Sequence, residues 1–201
     1  MAQQFVETIK IEDGNVQNIA YHQERMEKTI RHFFPSLCLA PVPMLDRIVI
    51  PQGYMDLYKA RVVYGESGIE TVEYSPYTIR EINSLQVVLD DTIEYNFKST
   101  NRERLNILSS KKNNSDDIII VKHELVTDTS FTNIAVYDGR RWITPKHPLL
   151  AGTKRANLLE LGVIQEADIT LADLRDAQKV GLFNAMIEFG KREIAIKNIH
   201  F

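Results

Sequence analysis

The chain has 201 residues, 44% of them hydrophobic, and its 24 basic and 27 acidic side chains give a formal net charge of −3. This length and composition can bury a substantial core, which excludes a disordered chain and predicts one domain or two small ones. The near balance of charge favours a small-molecule partner over nucleic acid.

The cysteine content and the hydropathy pattern indicate a cellular compartment. Cys38 is the only cysteine and has apolar neighbours, which excludes an intrachain disulfide and favours a buried structural thiol over a reactive one. No segment approaches the roughly 20 apolar residues of a membrane span. We therefore expect a cytoplasmic protein that does not bind membranes.

The first half of the chain predicts a small mixed α+β unit. An alternating stretch at residues 5–11, followed by the turn sequence Asp13-Gly14, favours a β-hairpin. A helical pattern over residues 21–34 stops before Pro35, which cannot continue a helix. The remaining elements are strands at 56–64 and 69–74 around a turn at 65–68, an ambiguous stretch at 44–49 and an extended run within 78–89.

The second half predicts another α/β unit, and a change in composition near Asp90-Asp91 places the division between domains at residues 1–91 and 92–201. Its predicted elements are a helix at 102–110, a buried strand at 118–121, a hairpin of 134–137 with 141–143, a helix at 153–161 that ends at Gly162, and further elements at 171–177 and 180–183.

Motifs of common enzyme classes are absent, since the chain has no Gly-rich phosphate loop, no serine elbow and no Cys/His spacing for a metal. Two weaker signals remain. Lys98 lies in a weakly charged stretch and could form a Schiff base, or it could be an ordinary solvated lysine. Gly152-Thr153-Lys154 begins a predicted helix and could bind an anion, or it could only cap the helix.

Several motifs in order resemble the class IV (fold type IV) pyridoxal-phosphate enzymes, which include aminodeoxychorismate lyase and the branched-chain and D-amino-acid aminotransferases. The matching segments are Phe5-Val6-Glu7-Thr8-Ile9, His22 to Met26, Tyr95 to Arg102, Val126 to Ile134, Leu150 to Arg155 and Phe183-Asn184-Ala185. The resemblance covers nearly the whole chain. It implies a fold type IV enzyme with a small N-terminal domain and a larger C-terminal domain.

The resemblance also implies pyridoxal 5′-phosphate as the cofactor and assigns roles to individual residues. Lys98 corresponds to the cofactor-binding catalytic lysine, and Arg25 to the arginine that grips the phosphate. Asp128 takes the place of a glutamate that faces the ring nitrogen, so the ring must sit closer or a water must bridge. Beside it stands Thr129, the next cofactor contact.

The start of the predicted helix at residue 153 corresponds to the family's phosphate-binding helix start. Thr153 would offer its amide and its hydroxyl to the phosphate. Lys154 stands where many relatives have a threonine; its charge could replace the missing hydroxyl, or its side chain could point into solvent.

Substrate contacts are less well marked. Lys59 and Arg61 lie on one face of the same predicted strand and could meet a substrate carboxylate, and Asn184 is a further candidate. His22 fits a packing or hydrogen-bonding role better than a catalytic one, whereas His147 fits a surface loop. Trp142 is expected in the core.

Two departures from the family pattern bear on the substrate. The family's N-terminal Asp-Arg-Gly turn and Tyr-Gly-Asp-Gly approach have no counterpart before Phe5, so the chain reads as shortened at its N-terminus. The usual Arg-Gly pair is replaced by Tyr64-Gly65. We expect a homodimer that completes the site and releases pyruvate from aminodeoxychorismate in folate synthesis. The alternatives are a branched-chain or D-amino-acid aminotransferase, or a cofactor-binding protein without turnover.

Overall fold

The computed structural model describes residues 3–35, 37, 42–50, 53 and 56–201. The chain forms two compact units: Met1–Ile79 with Phe97–Asn101, and Arg80–Asn96 with Arg102–Phe201. Cys38, whose burial the sequence predicts, lies outside the described residues. Within the described part of the chain, no helix is long and apolar enough to cross a membrane.

The first unit contains an antiparallel sheet in the order β2-β1-β3-β4. Its strands are β1 (Phe5–Glu12), β2 (Asn15–Val16), β3 (Tyr58–Gly65) and β4 (Gly68–Pro76), and its helices are α1 (Ile19–Phe33) and α2 (Leu45–Ile48). The apolar side chains of one sheet face pack with α1 into a single core that includes Phe5, Ile9, Met26, Ile30 and Val62.

Local sequence signals account for the predicted elements of this unit. Asp13 and Gly14 both adopt positive φ, 50° and 73°, which gives the turn that the right-handed twist of a tight hairpin favours. The predicted helix is confirmed as α1, which ends at Phe33, two residues before Pro35. The ambiguous stretch at 44–49 contains the short helix α2.

The second unit contains two sheets, in the orders β10-β9-β8-β11-β12 and β13-β5-β6-β7. The strands are β5 (Leu85–Leu89), β6 (Asp117–Lys122), β7 (Leu125–Thr129), β8 (Asn133–Tyr137), β9 (Trp142–Pro145), β10 (Gln165–Ala167), β11 (Lys179–Phe183), β12 (Glu193–Ala195) and β13 (Ile199–His200). The helices are α3 (Glu103–Ser109), α4 (Thr153–Glu160) and α5 (Leu171–Asp176). The two sheets share a core of side chains such as Ile119, Val126, Ile134 and Leu182.

Most predicted elements of this unit are confirmed, and the mixed architecture agrees with the predicted α+β class. Helix α4 is followed by Gly162 with φ of 67°, the left-handed position that favours glycine. The extended run within 78–89 is a strand only from Leu85, because the carboxylate of Asp116 accepts the amide hydrogens of Asn83 and Ser84. Those amides therefore have a side-chain partner instead of a neighbouring strand.

The compact units divide at different residues from the boundary expected at 91 and 92. Strand β5 pairs with β6 and β13 and so belongs to the second unit, whereas the segment around Lys98 pairs with β1 and belongs to the first. Hydrogen bonding between segments that are distant in sequence determines this division, so a change in composition along the chain does not predict it.

Candidate active site

The first unit holds a buried charge cluster beneath α1. Glu7 is in phase with Phe5 and Ile9 on β1, so its side chain points to the core face that α1 covers. It is fully buried, and its carboxylate accepts hydrogen bonds from Arg25 Nε at 3.0 Å, Arg25 Nη2 at 2.5 Å and His22 Nδ1 at 2.6 Å. Arg25 therefore grips a carboxylate of its own chain with a two-pronged contact.

Electrostatics keep Glu7 ionised in this cluster. Burial alone would raise the pKa of Glu7, but the charge of Arg25 and the hydrogen bond from His22 outweigh burial and lower it to about 2. Burial lowers the pKa of His22, and the hydrogen bond to Glu7 opposes that shift. His22 is thus a buried hydrogen-bonding residue of the helix start, as the sequence predicts.

The segment that contains Lys98 pairs with strand β1, which carries Glu7. The carbonyl oxygen of Lys98 accepts the amide hydrogen of Val6 at 2.9 Å, and Ser99 forms a β-bridge with Phe5. The charge of Lys98 also lowers the pKa of His22, so its ammonium group is within electrostatic reach of that ring. Strand β1 consequently brings together two predicted site residues, Lys98 and Arg25, that are 73 positions apart in sequence.

The two predicted substrate cations lie elsewhere in this unit. Ala60 and Val62 point to the core beneath α1, so Lys59 and Arg61 alternate onto the opposite face of the sheet. The Nη1 atom of Arg61 lies 3.4 Å from the Glu73 carboxylate on the neighbouring strand. Lys59 and Arg61 are therefore on the sheet face away from the Glu7 cluster.

The second unit holds a buried carboxylate with neutral hydrogen-bond donors. Asp128, on β7, is 5% exposed, and its two oxygens accept from Asn133 Nδ2 at 2.8 Å and the Leu150 amide at 2.9 Å. Burial raises the pKa of Asp128 to about 6, although both hydrogen bonds and the charge of Arg155 act in the opposite direction. Asp128 is therefore a carboxylate that the fold alone does not stabilise in its ionised form.

The start of α4 presents backbone amides outside the helical ladder, next to buried side chains. The first amide with an intrahelical partner is that of Ala156, which donates to the Gly152 carbonyl at 3.0 Å, so the amides of residues 153–155 precede the ladder. Thr153 is 4% exposed. Lys154 does not point into solvent: it is buried, and its Nζ pairs with the Glu188 carboxylate.

Two predicted ligand-binding residues, Thr129 and Asn184, form hydrogen bonds that hold the loop after Asp128. The hydroxyl of Thr129 accepts the Thr132 amide at 2.9 Å and contacts the Thr132 hydroxyl at 2.7 Å, which closes the turn. Asn184 donates to the Phe131 carbonyl at 3.2 Å and accepts the Met186 amide at 2.8 Å. Both side chains hold the loop that follows Asp128, and their contact with a ligand stays a prediction.

The structure confirms the predicted surface position of His147 and only partly the predicted core position of Trp142. His147 is exposed on a loop, as predicted, and lies 3.5 Å from Asp168. Trp142 is only partly buried, where its ring packs against Tyr137 and Phe189 at the edge of a core cluster. Trp142 therefore has one side towards solvent.

Sequence reasoning gave no role to Glu7 or Asn133, which organise the two clusters. Glu7 could have been found, because it is a charged residue in phase with the apolar residues of an alternating strand and must find partners there. Asn133 lies in the Val126 to Ile134 segment that resembles the family signature, so the resemblance marked the position without giving it a role; an asparagine near a predicted turn is otherwise usually a turn residue.

Comparisons with known proteins define the class. The family model for class IV amino-transferases matches residues 66–191. An uncharacterised protein of Haemophilus influenzae is 33% identical over 181 residues, which cover 90% of this chain and 96% of that protein. The chain therefore belongs to the class IV aminotransferase family and has the fold type IV architecture.

Two further relatives carry a more specific name. The solved structure of a "putative 4-amino-4-deoxychorismate lyase" from Haemophilus somnus has a TM-score of 0.83 and 34% identity, and the match covers 92% of this chain and 97% of that one. A "Putative aminodeoxychorismate lyase" of Schizosaccharomyces pombe is 34% identical over 146 residues, 64% of this chain and 60% of that protein.

Proposed function

We propose that this chain is a pyridoxal-phosphate enzyme that eliminates pyruvate from aminodeoxychorismate to give 4-aminobenzoate. Membership of the class IV family and the names of two relatives at 34% identity support this proposal. The observation that carries it is Asp128, a buried carboxylate whose pKa is raised to about 6. Buried carboxylates normally have a cation or a metal as partner.

The residues of the chain fit the proposed cofactor. A protonated pyridine nitrogen is the cation that Asp128 would face, and the amides at the start of α4 would bind a phosphate dianion. Lys98 would bond the cofactor through Nζ. When bound, pyridoxal phosphate supplies an electron sink that stabilises negative charge at the substrate α-carbon.

Each chain residue then has a defined task. Asp128 holds the proton at the ring nitrogen, and Asn133 with the Leu150 amide orients its two oxygens. Lys98 Nζ would take the proton from the amine-bearing carbon of the substrate and pass it to the departing enolpyruvate, which leaves as pyruvate. Arg25 would bind the phosphate as a forked cation, and its contact with Glu7 through Nε and Nη2 must then open.

The proposal extends to the substrate side and to the assembly. Lys59 and Arg61 would meet a substrate carboxylate, although the ion pair with Glu73 must then open for Arg61 to do so. Asn184 would act near the loop that it already braces. We further propose a cytoplasmic homodimer in folate synthesis, because members of the family complete their sites across a subunit interface.

The covalent attachment can be tested by borohydride reduction of the purified, cofactor-loaded protein. Reduction should fix the pyridoxyl group on Lys98 and block trypsin there, so that one peptide spans residues 81–102 and absorbs in the near ultraviolet. Lys98→Ala also removes this cleavage site, so its 81–102 peptide should appear without the near-ultraviolet absorbance. The matched variant Lys111→Ala, at an exposed position, should keep the absorbing peptide. A pyridoxyl group on any other lysine would contradict the assignment.

The reaction itself is distinguished by its products. Pyruvate release from aminodeoxychorismate without a keto-acid acceptor supports the lyase. The description of the matching family favours transamination as the second candidate, and turnover that requires a keto-acid acceptor would replace the lyase by it. A cofactor-loaded protein with neither activity would leave only the binding function.

A further inference from the structure

Asn133 closes a ring of hydrogen bonds at the candidate site of the second unit. Its Nδ2 donates to Asp128 Oδ1 at 2.8 Å and to the Leu150 carbonyl at 2.9 Å, while the Leu150 amide donates to Asp128 Oδ2 at 2.9 Å. The side chain is buried, with 6% exposure. The ring joins β7, β8 and the loop that leads into α4.

The orientation of the Asn133 amide follows from its partners. An ionised carboxylate and a carbonyl both accept hydrogen bonds, so the NH₂ group must face Asp128 and Leu150. The Oδ1 atom then points to Gly152, the residue before α4. A Cβ atom added at Gly152 would overlap Asn133 Oδ1 and would lie 3.1 Å from Asn133 Cγ.

The backbone of Gly152 does not itself require glycine. Its φ of −73° and ψ of 145° are ordinary extended values that any residue adopts. Apart from Asn133, the nearest atom to an added Cβ would be Arg155 Cβ at 3.8 Å, an ordinary contact distance. The Asn133 side chain is therefore the obstacle to a larger residue at this position.

We infer that Asn133 is a positioning residue that couples the Asp128 carboxylate to the start of α4, and that residue 152 is a glycine in order to leave room for it. This inference rests on the proposed function, in which Asp128 faces the ring nitrogen and α4 binds the phosphate. Asn133 then holds the binding groups for the two ends of one cofactor in a fixed relation. Because it touches neither the substrate nor the reacting atoms, its effect is transmitted through Asp128 and the backbone before α4.

A double-mutant cycle on the cofactor-free protein tests the packing. Gly152→Ala should lower the equilibrium constant for folding by about tenfold or more in the wild-type background and by less than about threefold beside Asn133→Ala, where the obstacle is gone. In Asn133→Asp, which keeps the shape but not the NH₂ group, the penalty of Gly152→Ala should persist. Ala156→Gly, at an exposed position in α4, serves as control and should cost the same in both backgrounds.

If Gly152→Ala alone does not accumulate as folded protein, recovery of folded protein in the double variant gives the same answer. Equal penalties of Gly152→Ala in the wild-type and Asn133→Ala backgrounds would overturn the inference. So would a double variant that remains unfolded although Asn133→Ala alone folds.

The coupling to the ring nitrogen is tested by affinity for two ligands, pyridoxal phosphate and its analogue with carbon in place of that nitrogen. Asn133→Ala, which removes a hydrogen bond that favours the ionised Asp128 without adding charge, should weaken binding of pyridoxal phosphate about tenfold or more and binding of the analogue less than about threefold. Equal loss for both ligands would mean that Asn133 only supports the fold. Wild-type protein that binds neither ligand would instead refute the proposed function, whereas the cycle on cofactor-free protein would still test the packing.

Discussion

Replacing Asp128 by asparagine should change how the stability of the cofactor-free protein depends on pH. The pKa of Asp128 is about 6 in the folded protein, against 3.8 for the ordinary group. A difference of roughly two units corresponds to roughly 3 kcal/mol. This free energy opposes folding, because burial disfavours the charged form.

The sign and the pH window follow from these two values. Below about pH 3.8 the carboxyl is protonated in both the folded and the unfolded state, so it costs nothing. As pH rises towards 6, the unfolded state gains charge first, and the folded protein loses stability relative to it. Above about pH 6 the full cost of about 3 kcal/mol is present, and Asp128→Asn removes it.

Urea unfolding of the cofactor-free wild type and of Asp128→Asn between pH 4 and pH 8 measures this effect. The stability of the variant minus that of the wild type should rise by about 3 kcal/mol across the window. The new NH₂ group must face one of the two donors, Asn133 or the Leu150 amide, which subtracts a constant of about 1–2 kcal/mol without changing the slope. A difference that stays flat with pH would refute the idea that burial raises the pKa of Asp128.

Four further predictions concern the first unit and the assembly. Glu7→Gln should show the opposite pH dependence, because the pKa of Glu7 is lowered to about 2. As pH rises from 2 to 4.5, the free energy of unfolding of the wild type should increase by up to about 3 kcal/mol relative to that of the variant. Urea unfolding that shows no such increase would contradict this prediction. Arg25→Ala should weaken binding of pyridoxal phosphate about thirtyfold or more, with partial recovery in Arg25→Lys, and titration of cofactor-free protein that gives wild-type affinity would remove Arg25 from the phosphate site. The double variant Arg25→Ala with Glu7→Gln leaves no unpaired carboxylate at this position. It should be more stable than Arg25→Ala alone, but its affinity for pyridoxal phosphate should stay as low. Light scattering should show a homodimer, and a monomer with full activity would exclude a site completed by the partner.

Elements with strong local signals could be predicted from the sequence. The Asp13-Gly14 hairpin and the helix that ends before Gly162 depend on backbone preferences that one residue or a pair of residues sets. By contrast, β13 pairs in parallel with β5, and Ile199 and Leu85 are 114 positions apart. A two-residue strand has no period to detect, so nothing local to it indicates the pairing.

The candidate site shows the same limit at the level of side chains. The family resemblance identifies Arg25 and Lys154 as cations in phosphate-binding motifs, yet the structure pairs them with Glu7 and Glu188. A motif specifies a residue type and a spacing. The partner of a long flexible cation depends on which carboxylates the fold brings within reach, and these lie 18 and 34 positions away in sequence.

The two buried carboxylates Glu7 and Asp128 separate a structural role from a functional one. Burial acts to raise the pKa of both carboxyl groups. Glu7 has a guanidinium within hydrogen-bonding distance, whereas Asp128 has only neutral donors at that range among the described residues. The folded chain therefore stabilises the ionised form of Glu7 by itself, whereas the ionised form of Asp128 lowers the free energy of unfolding. Groups whose surroundings push their pKa values in opposite directions are expected where one of them serves chemistry. A ligand that carries a cation to Asp128 would recover that lost stability on binding, which is why binding of pyridoxal phosphate should stabilise the protein more above pH 6 than below it.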